Sequence, residues 1–142
     1  MPYIIGFDPG RDKCGIAVVD AAGPHPVHYR QVISADQSLN ELRTLLSRFE
    51  VHQILIGNQT GSKEWQAKIG GAFPELPLVV VNERHSSEEA RKRYWDYYPA
   101  QGLNALLPKG MRTPPTPYDD LVALVLIERY LGTSISGPAP AL

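Results

Sequence analysis

The sequence predicts an α/β fold, a mixed five-stranded sheet with helices on both faces, and three observations carry that prediction. β-branched-rich runs separated by turn residues fill the first 33 positions, and the remainder alternates helical periodicity with short apolar runs. The connections between the later strands are long enough to be helical crossovers, and right-handed crossovers set the fourth and fifth strands parallel to the first.

Each element follows from its residues. Residues 3–8 and 15–20 are strands joined by Pro9-Gly10-Arg11-Asp12-Lys13, a hairpin connection of turn residues. Ala22-Gly23-Pro24 turns the chain into a third strand at 27–33. Leu39, Leu42, Leu45, Leu46 and Phe49 recur at three- and four-residue spacing, and Ser38 with Glu41 reads as a capping box that starts a helix there. Residues 52–57 form a buried strand, a polar loop begins at Asn58, and a helix covers 63–72. Residues 78–81 are the fifth strand; Ser86 with Glu89 is a second capping box opening a helix to Tyr97. Residues 99–117 are rich in proline and keep no period, the kind of long segment that carries function or stays disordered. The last helix runs over 118–131 with Gly132 just past its end, and its stretch from Leu121 to Ile127 is apolar all round, so it is expected to be buried against the sheet. Residues 1–132 thus read as one domain and 133–142 as a disordered tail.

Composition bounds the function. A 142-residue chain buries about 68–70% of its unfolded surface and needs no disulfide or metal staple; the lone Cys14 cannot form an internal bridge. The longest apolar run, at 121–127, is seven residues, and Met1-Pro2-Tyr3 lacks a signal-peptide layout, so a cytoplasmic protein without a membrane partner is expected. With 14 Lys and Arg against 15 Asp and Glu, the net charge of −1 excludes a strongly basic coat-type nucleic-acid binder; nucleic acid would have to meet a local patch.

In a sheet of this kind, sites form outside the carboxyl ends of parallel strands. That rule selects Asp8, the loop at Asn58, and Asn82-Glu83-Arg84. Each acid also has an ordinary local role: Asp8 in an Asx turn, Glu83 paired with Arg84, and Asp119 and Asp120 in a first helical turn, where the dipole favours acids. The topology nevertheless brings the ends of the first and fifth strands and the start of the last helix to one edge. Carboxylates gathered there repel unless a cation lies between them, and an all-oxygen set points to Mg²⁺ or Mn²⁺. The matching chemistry is hydrolysis of a phosphodiester.

Gly6-Phe7-Asp8-Pro9-Gly10-Arg11-Asp12-Lys13-Cys14-Gly15-Ile16-Ala17-Val18 resembles the opening of the YqgF family, RuvC-like nucleases with an RNase H-like fold. Ile56-Gly57 with the Gly61 loop, Asn82-Glu83-Arg84 with Ser86, and Tyr118-Asp119 leading to Ala123 and Tyr130-Leu131 are similar to its later motifs, in the same order, over roughly residues 3–131. The resemblance implies an RNase H-like domain acting as a metal-dependent nuclease on precursor 16S ribosomal RNA ends or on Holliday junctions. It makes Asp8, Glu83 and Asp119 the catalytic and metal-binding acids. Asp120 is a further metal candidate, one residue and about 100° of helical rotation from Asp119. The chain departs from the family pattern at Asn82, where an aspartate is usual, at His85, where an apolar residue is usual, and at Asn58-Gln59, where Leu-Pro is usual.

Residues 84–112 are locally basic, with Arg84, Arg91, Lys92, Arg93, Lys109 and Arg112 against Glu88, Glu89 and Asp96. Arg84, Lys109 and Arg112, with Arg11 and Lys13 beside Asp8, are the candidate contacts to RNA or to branched or single-stranded DNA. Tyr94, Trp95, Tyr97 and Tyr98 are either base-stacking platforms or core. His85 is either a proton-transfer group or a loop histidine. Junction cleavage needs two sites in register and so favours a homodimer, whereas RNA trimming does not. Two other readings stay open: a non-catalytic nucleic-acid- or ribosome-binding module on the same fold, and an actin-like nucleotide-binding fragment, which the single-domain length opposes.

Overall fold

The computed structural model describes residues 2–22, 25–59, 61–98, 100, 102–108 and 114–132. Its elements are β1 (Tyr3–Asp8), β2 (Lys13–Asp20), β3 (Val27–Ser34), α1 (Ala35–Arg48), β4 (Val51–Gly57), α2 (Ser62–Ala72), β5 (Leu78–Val81), α3 (Ser86–Tyr97), a 3₁₀ turn at Gly102–Leu106, and α4 (Asp119–Leu131). The sheet order is β3-β2-β1-β4-β5, with β1–β2 and β2–β3 antiparallel and β1–β4 and β4–β5 parallel. This is the mixed five-stranded sheet expected from the crossovers. The tail at 133–142 lies outside the described residues, and among those described no helix is long and apolar enough to cross a membrane.

Alternation along the strands sorts the side chains onto two faces. Ile5, Phe7, Ile16, Val18, Ile54 and Ile56 pack against Leu42 and Leu45 of α1 and Trp65 and Ile69 of α2. Ile4, Ala17, Val19 and Leu55 face the other way, against Ala90, Tyr94 and Trp95 of α3 and the apolar run of α4. Asp8 shares its parity with Ile4 and Gly6 and therefore belongs to the α4 face.

Both capping boxes are corrected. Helix α1 begins at Ala35, directly after β3, because the Ala35 N–H finds the Asp12 carbonyl across the hairpin at 2.8 Å. Ser38 is consequently interior and bonds back to the Ser34 carbonyl at 2.9 Å. At α3 the residue before the helix is His85 in the left-handed region (φ 62°), and Ser86 is its first residue, with no side-chain cap. In both places a tertiary contact or the geometry of the preceding loop sets the start of the helix. The other end of α4 is as expected: Gly132 is left-handed (φ 72°), and its N–H meets the Glu128 carbonyl at 2.9 Å.

Helix α4 lies very close to the sheet because glycines stand beneath it. A Cβ at Gly6 would overlap the Ala123 carbonyl, and one at Gly15 would overlap the Asp119 carbonyl, one helical turn earlier. A buried ion pair anchors the same end of the helix: Arg30 on β3, 1% exposed, donates through Nη1 to Asp120 Oδ2 at 2.6 Å. Its Nη2 donates to the Tyr98 hydroxyl at 3.1 Å, and the guanidinium lies 4.6 Å from the Tyr97 ring centroid. Removing one member of a buried pair strands the other charge. Arg30→Met should therefore cost about 3–5 kcal/mol in urea unfolding. The Arg30→Met/Asp120→Leu double variant should lose less than the single one, and equal losses would show the ion pair to be irrelevant.

Candidate active site

Phe7 pairs with Ile56 and Gly57 with Val81, so the carboxyl ends of β1, β4 and β5 line up along one sheet edge. Asp8 ends β1, the central strand of the five-stranded sheet. Its antiparallel partner is Gly15, and the residue beside it at the end of β4 is Gly57. Neither neighbour has a side chain, and both vacated positions are filled by other parts of the site. The backbone of Asp119 sits over Gly15, and the Glu83 carboxylate lies across Gly57, where any Cβ would overlap Oε2 and Cδ.

Asp8 and Glu83 are buried, at 8% and 5% exposure, and Asp119 is half-buried. Burial, hydrogen bonding and repulsion from Glu83, and the charge of Asp119 together push the Asp8 carboxyl up to about 10. The Asp8 carboxyl is thereby pushed toward its protonated form, with side-chain hydrogen bonds to Glu83 and Asp119. Burial also raises the Asp119 carboxyl, against the pull of its own backbone and of the nearby Lys13 ammonium.

Glu83 has further partners. Its backbone N–H donates to Asn58 Oδ1 at 2.9 Å, and its Oε2 accepts the Gln59 N–H at 3.1 Å. Arg129 Nη1 reaches the Asn82 carbonyl at 2.8 Å and Nη2 reaches Glu89 Oε1 at 2.8 Å, tying the loop after β5 to α4.

The remaining sequence candidates divide. Asp120, although adjacent to Asp119, is committed to Arg30 and does not join Asp8; helical rotation sends the two acids in different directions. Arg11, Lys13 and Arg84 are exposed. Arg11 lines a cavity of about 580 Å³ together with Trp65 and Lys68. Lys109 and Arg112 lie outside the described residues. Tyr94 and Trp95 are core, at 5% and 7% exposure, so they offer no stacking surface; Tyr97 lies under Arg30, and Tyr98 is 38% exposed. Arg93 is held by the Glu128 carboxylate at 2.6 and 2.8 Å. The His85 ring is exposed and faces Glu88 at 3.5 Å. Arg30, Gly57, Asn58 and Gln59 were not singled out individually as site residues by sequence, although the strand-end rule had marked the Asn58 loop.

The donor set suits a hard divalent cation: three carboxylates, no sulfur, and one acid pushed toward its neutral form by burial and by the two acids beside it. Among the described residues, however, no three His, Cys, Asp or Glu side chains are spread as a ready-made metal cage. The acids close on one another around the Asp8 proton, and a cation would have to displace it.

The family described as Tex protein YqgF-like domain matches residues 2–93. The chain belongs to that family. Among its YqgF-like relatives, a Porphyromonas gingivalis protein named "Putative pre-16S rRNA nuclease" is 26% identical over 92% of this chain and 96% of that protein. Protein tex of Bordetella pertussis is 34% identical over 97 residues, 59% of this chain but only 12% of that much longer protein. Among solved structures, T. thermophilus RuvC in complex with a Holliday junction substrate superposes with a TM-score of 0.58 at 15% identity, covering 94% of this chain and 98% of RuvC. A second Thermus thermophilus RuvC structure gives 0.50 at 16% identity, covering 92% and 97%. The YqgF-like chain thus has the RuvC, RNase H-like fold expected from its motifs.

The Asp8 shift has a consequence for stability. The folded protein keeps that proton to a higher pH than the unfolded chain does, so the stabilising contribution is whole below the ordinary value of 3.8 and is lost as pH rises toward about 10. Asp119, also raised, acts in the same direction. With chelator present, wild type should lose more stability in urea between about pH 5 and pH 8 than Asp8→Asn, which cannot ionise. Parallel pH profiles for the two proteins would refute the buried shared proton.

Proposed function

We propose that this YqgF-like chain is a divalent-metal-dependent nuclease that hydrolyses phosphodiester bonds of structured nucleic acid. Asp8, Glu83 and Asp119 are its catalytic and metal-binding acids. The observation that supports this best is the placing of Asp8 between two glycines whose vacant side-chain positions are filled by Glu83 and by the backbone of Asp119. Bringing buried acids together costs several kcal/mol and has no structural return unless a cation is to be held.

Mg²⁺ or Mn²⁺, when bound by these oxygens, supplies positive charge for the phosphate oxygens and activates a water. The chain's own residues do the rest. Asp8, at the end of β1, would hold the ion as its carboxylate, and Glu83 is presented by the loop after β5. Asp119 is carried by the first turn of α4, the end of the helix dipole that tolerates an acid. Arg11, Lys13 and Arg84 are exposed cations available to the phosphate backbone around the scissile bond.

Precursor 16S ribosomal RNA is the first substrate to test, because the relative so named matches nearly end to end. Branched DNA is the second, on the strength of the shared RuvC fold. The competing reading, a non-catalytic nucleic-acid-binding module, is favoured by the absence of an open metal cage among the described residues.

A cleavage panel of precursor RNA, four-way junctions and single-stranded DNA separates these readings. Cleavage should appear with Mn²⁺ or Mg²⁺ and vanish with chelator. Asp8→Asn should lower kcat by about a thousandfold while substrate binding, measured by fluorescence anisotropy, is kept. Full activity of Asp8→Asn would end the nuclease mechanism. Binding by wild type without metal-dependent cleavage would select the non-catalytic module. Paired cuts in a junction, with a dimer in sedimentation, would assign the homodimeric form.

A further inference from the structure

Glu83 stands in the four-residue connection between β5 and α3, where no sheet or helix ladder fixes it. Its own carbonyl accepts the Ser86 N–H at 2.9 Å, which starts α3 but leaves the rest of the residue to find other partners. Those partners come from consecutive residues at the end of β4. Gly57 provides the surface over which the carboxylate lies, Asn58 Oδ1 accepts the Glu83 backbone N–H, and the Gln59 N–H donates to Oε2. Backbone and carboxylate are thus both held by one short segment, and the side chain between them has little torsional freedom left.

We propose that Asn58 is a positioning residue for Glu83, acting with the Gln59 N–H as a clamp that sets the carboxylate's orientation; this rests on the reading of Glu83 as a catalytic acid. Core packing does not explain the arrangement, because Asn58 and Gln59 are exposed. A hydrogen bond at the mouth of a site adds little to global stability. Its effect falls on geometry, where a displacement of about 1 Å costs about 100-fold in rate.

The test compares Asn58→Leu, which keeps the size and removes the acceptor, with Asn58→Asp, which keeps an acceptor oxygen. Amide hydrogen exchange by NMR is read on the metal-free protein, and kcat and KM are read on the substrate that wild type cleaves. In Asn58→Leu the Glu83 amide should exchange about tenfold faster, with β1 and β4 amides unchanged. The kcat should fall about 10–100-fold with KM within about twofold. Asn58→Asp should restore Glu83 amide protection and most of kcat. An unchanged Glu83 amide in Asn58→Leu, or an unchanged kcat, would overturn the clamp. Asp8→Asn separates this from failure of the nuclease reading: an inactive Asp8→Asn beside a fully active Asn58→Leu removes only the clamp. If wild type cleaves nothing, the nuclease reading fails, and the exchange result alone decides whether Asn58 positions Glu83.

Discussion

The site depends on the lack of side chains on both sides of Asp8. In a sheet, directly opposed residues project to the same face about 5 Å apart, so a central acid normally has two neighbours walling it in. Here those neighbours are Gly15 and Gly57. One vacancy admits the first turn of α4 and the other admits the carboxylate of Glu83. Gly6, on the same face, extends the close approach along α4 to Ala123. A methyl group at Gly15 or Gly57 would meet atoms that cannot move without shifting a helix or a site acid, so backbone packing and site geometry are one constraint.

That constraint explains how the chain separates two adjacent acids. With α4 seated on Gly6 and Gly15, rotation about its axis is fixed, and Asp119 and Asp120 leave it in different directions. Asp120 is neutralised by a buried arginine held in turn by the Tyr98 hydroxyl and the Tyr97 ring. Asp119 has no such partner: its carboxyl is helped by its own backbone N–H, by the Lys13 ammonium and by a hydrogen bond with Asp8. One acid is a finished structural ion pair, and the other is left electrostatically unfinished. A near-neutral composition of 14 basic and 15 acidic side chains therefore says little about local fields.

The β1–β2 hairpin, the parallel arrangement of β4 and β5 with β1 and the burial of α4 were legible because they follow from periodicity and crossover handedness, which are local or topological. The strand-end rule likewise located Asp8, Glu83 and the Asn58 loop. The start of α1 was misread because Ser38 carries capping chemistry, whereas the Asp12 carbonyl sets the true start; α3 does open at Ser86, but after a left-handed His85 and without a side-chain cap. The choice of Asp119 over Asp120 depended on Arg30, 90 positions away along the chain. The tyrosines of α3 showed helical spacing but not which face was covered, and Tyr94 proved to be core. What sequence missed were contacts between residues far apart in the chain, for which neither composition nor period leaves a trace.

Each acid of the site occupies a position that local physics already tolerates. Asp8 ends a strand at a turn, Asp119 opens a helix where the dipole favours negative charge, and Glu83 follows a strand and precedes a helix. None needs a strained backbone: the left-handed residues near the site are Gly61 and His85, not the acids themselves. The cost lies in bringing the acids together, and it falls most heavily on Asp8, whose carboxyl is pushed toward its neutral form. A site assembled this way concentrates carboxylates at the edge of the sheet where β1 ends, in a protein whose β1–β2 hairpin carries the exposed cations Arg11 and Lys13.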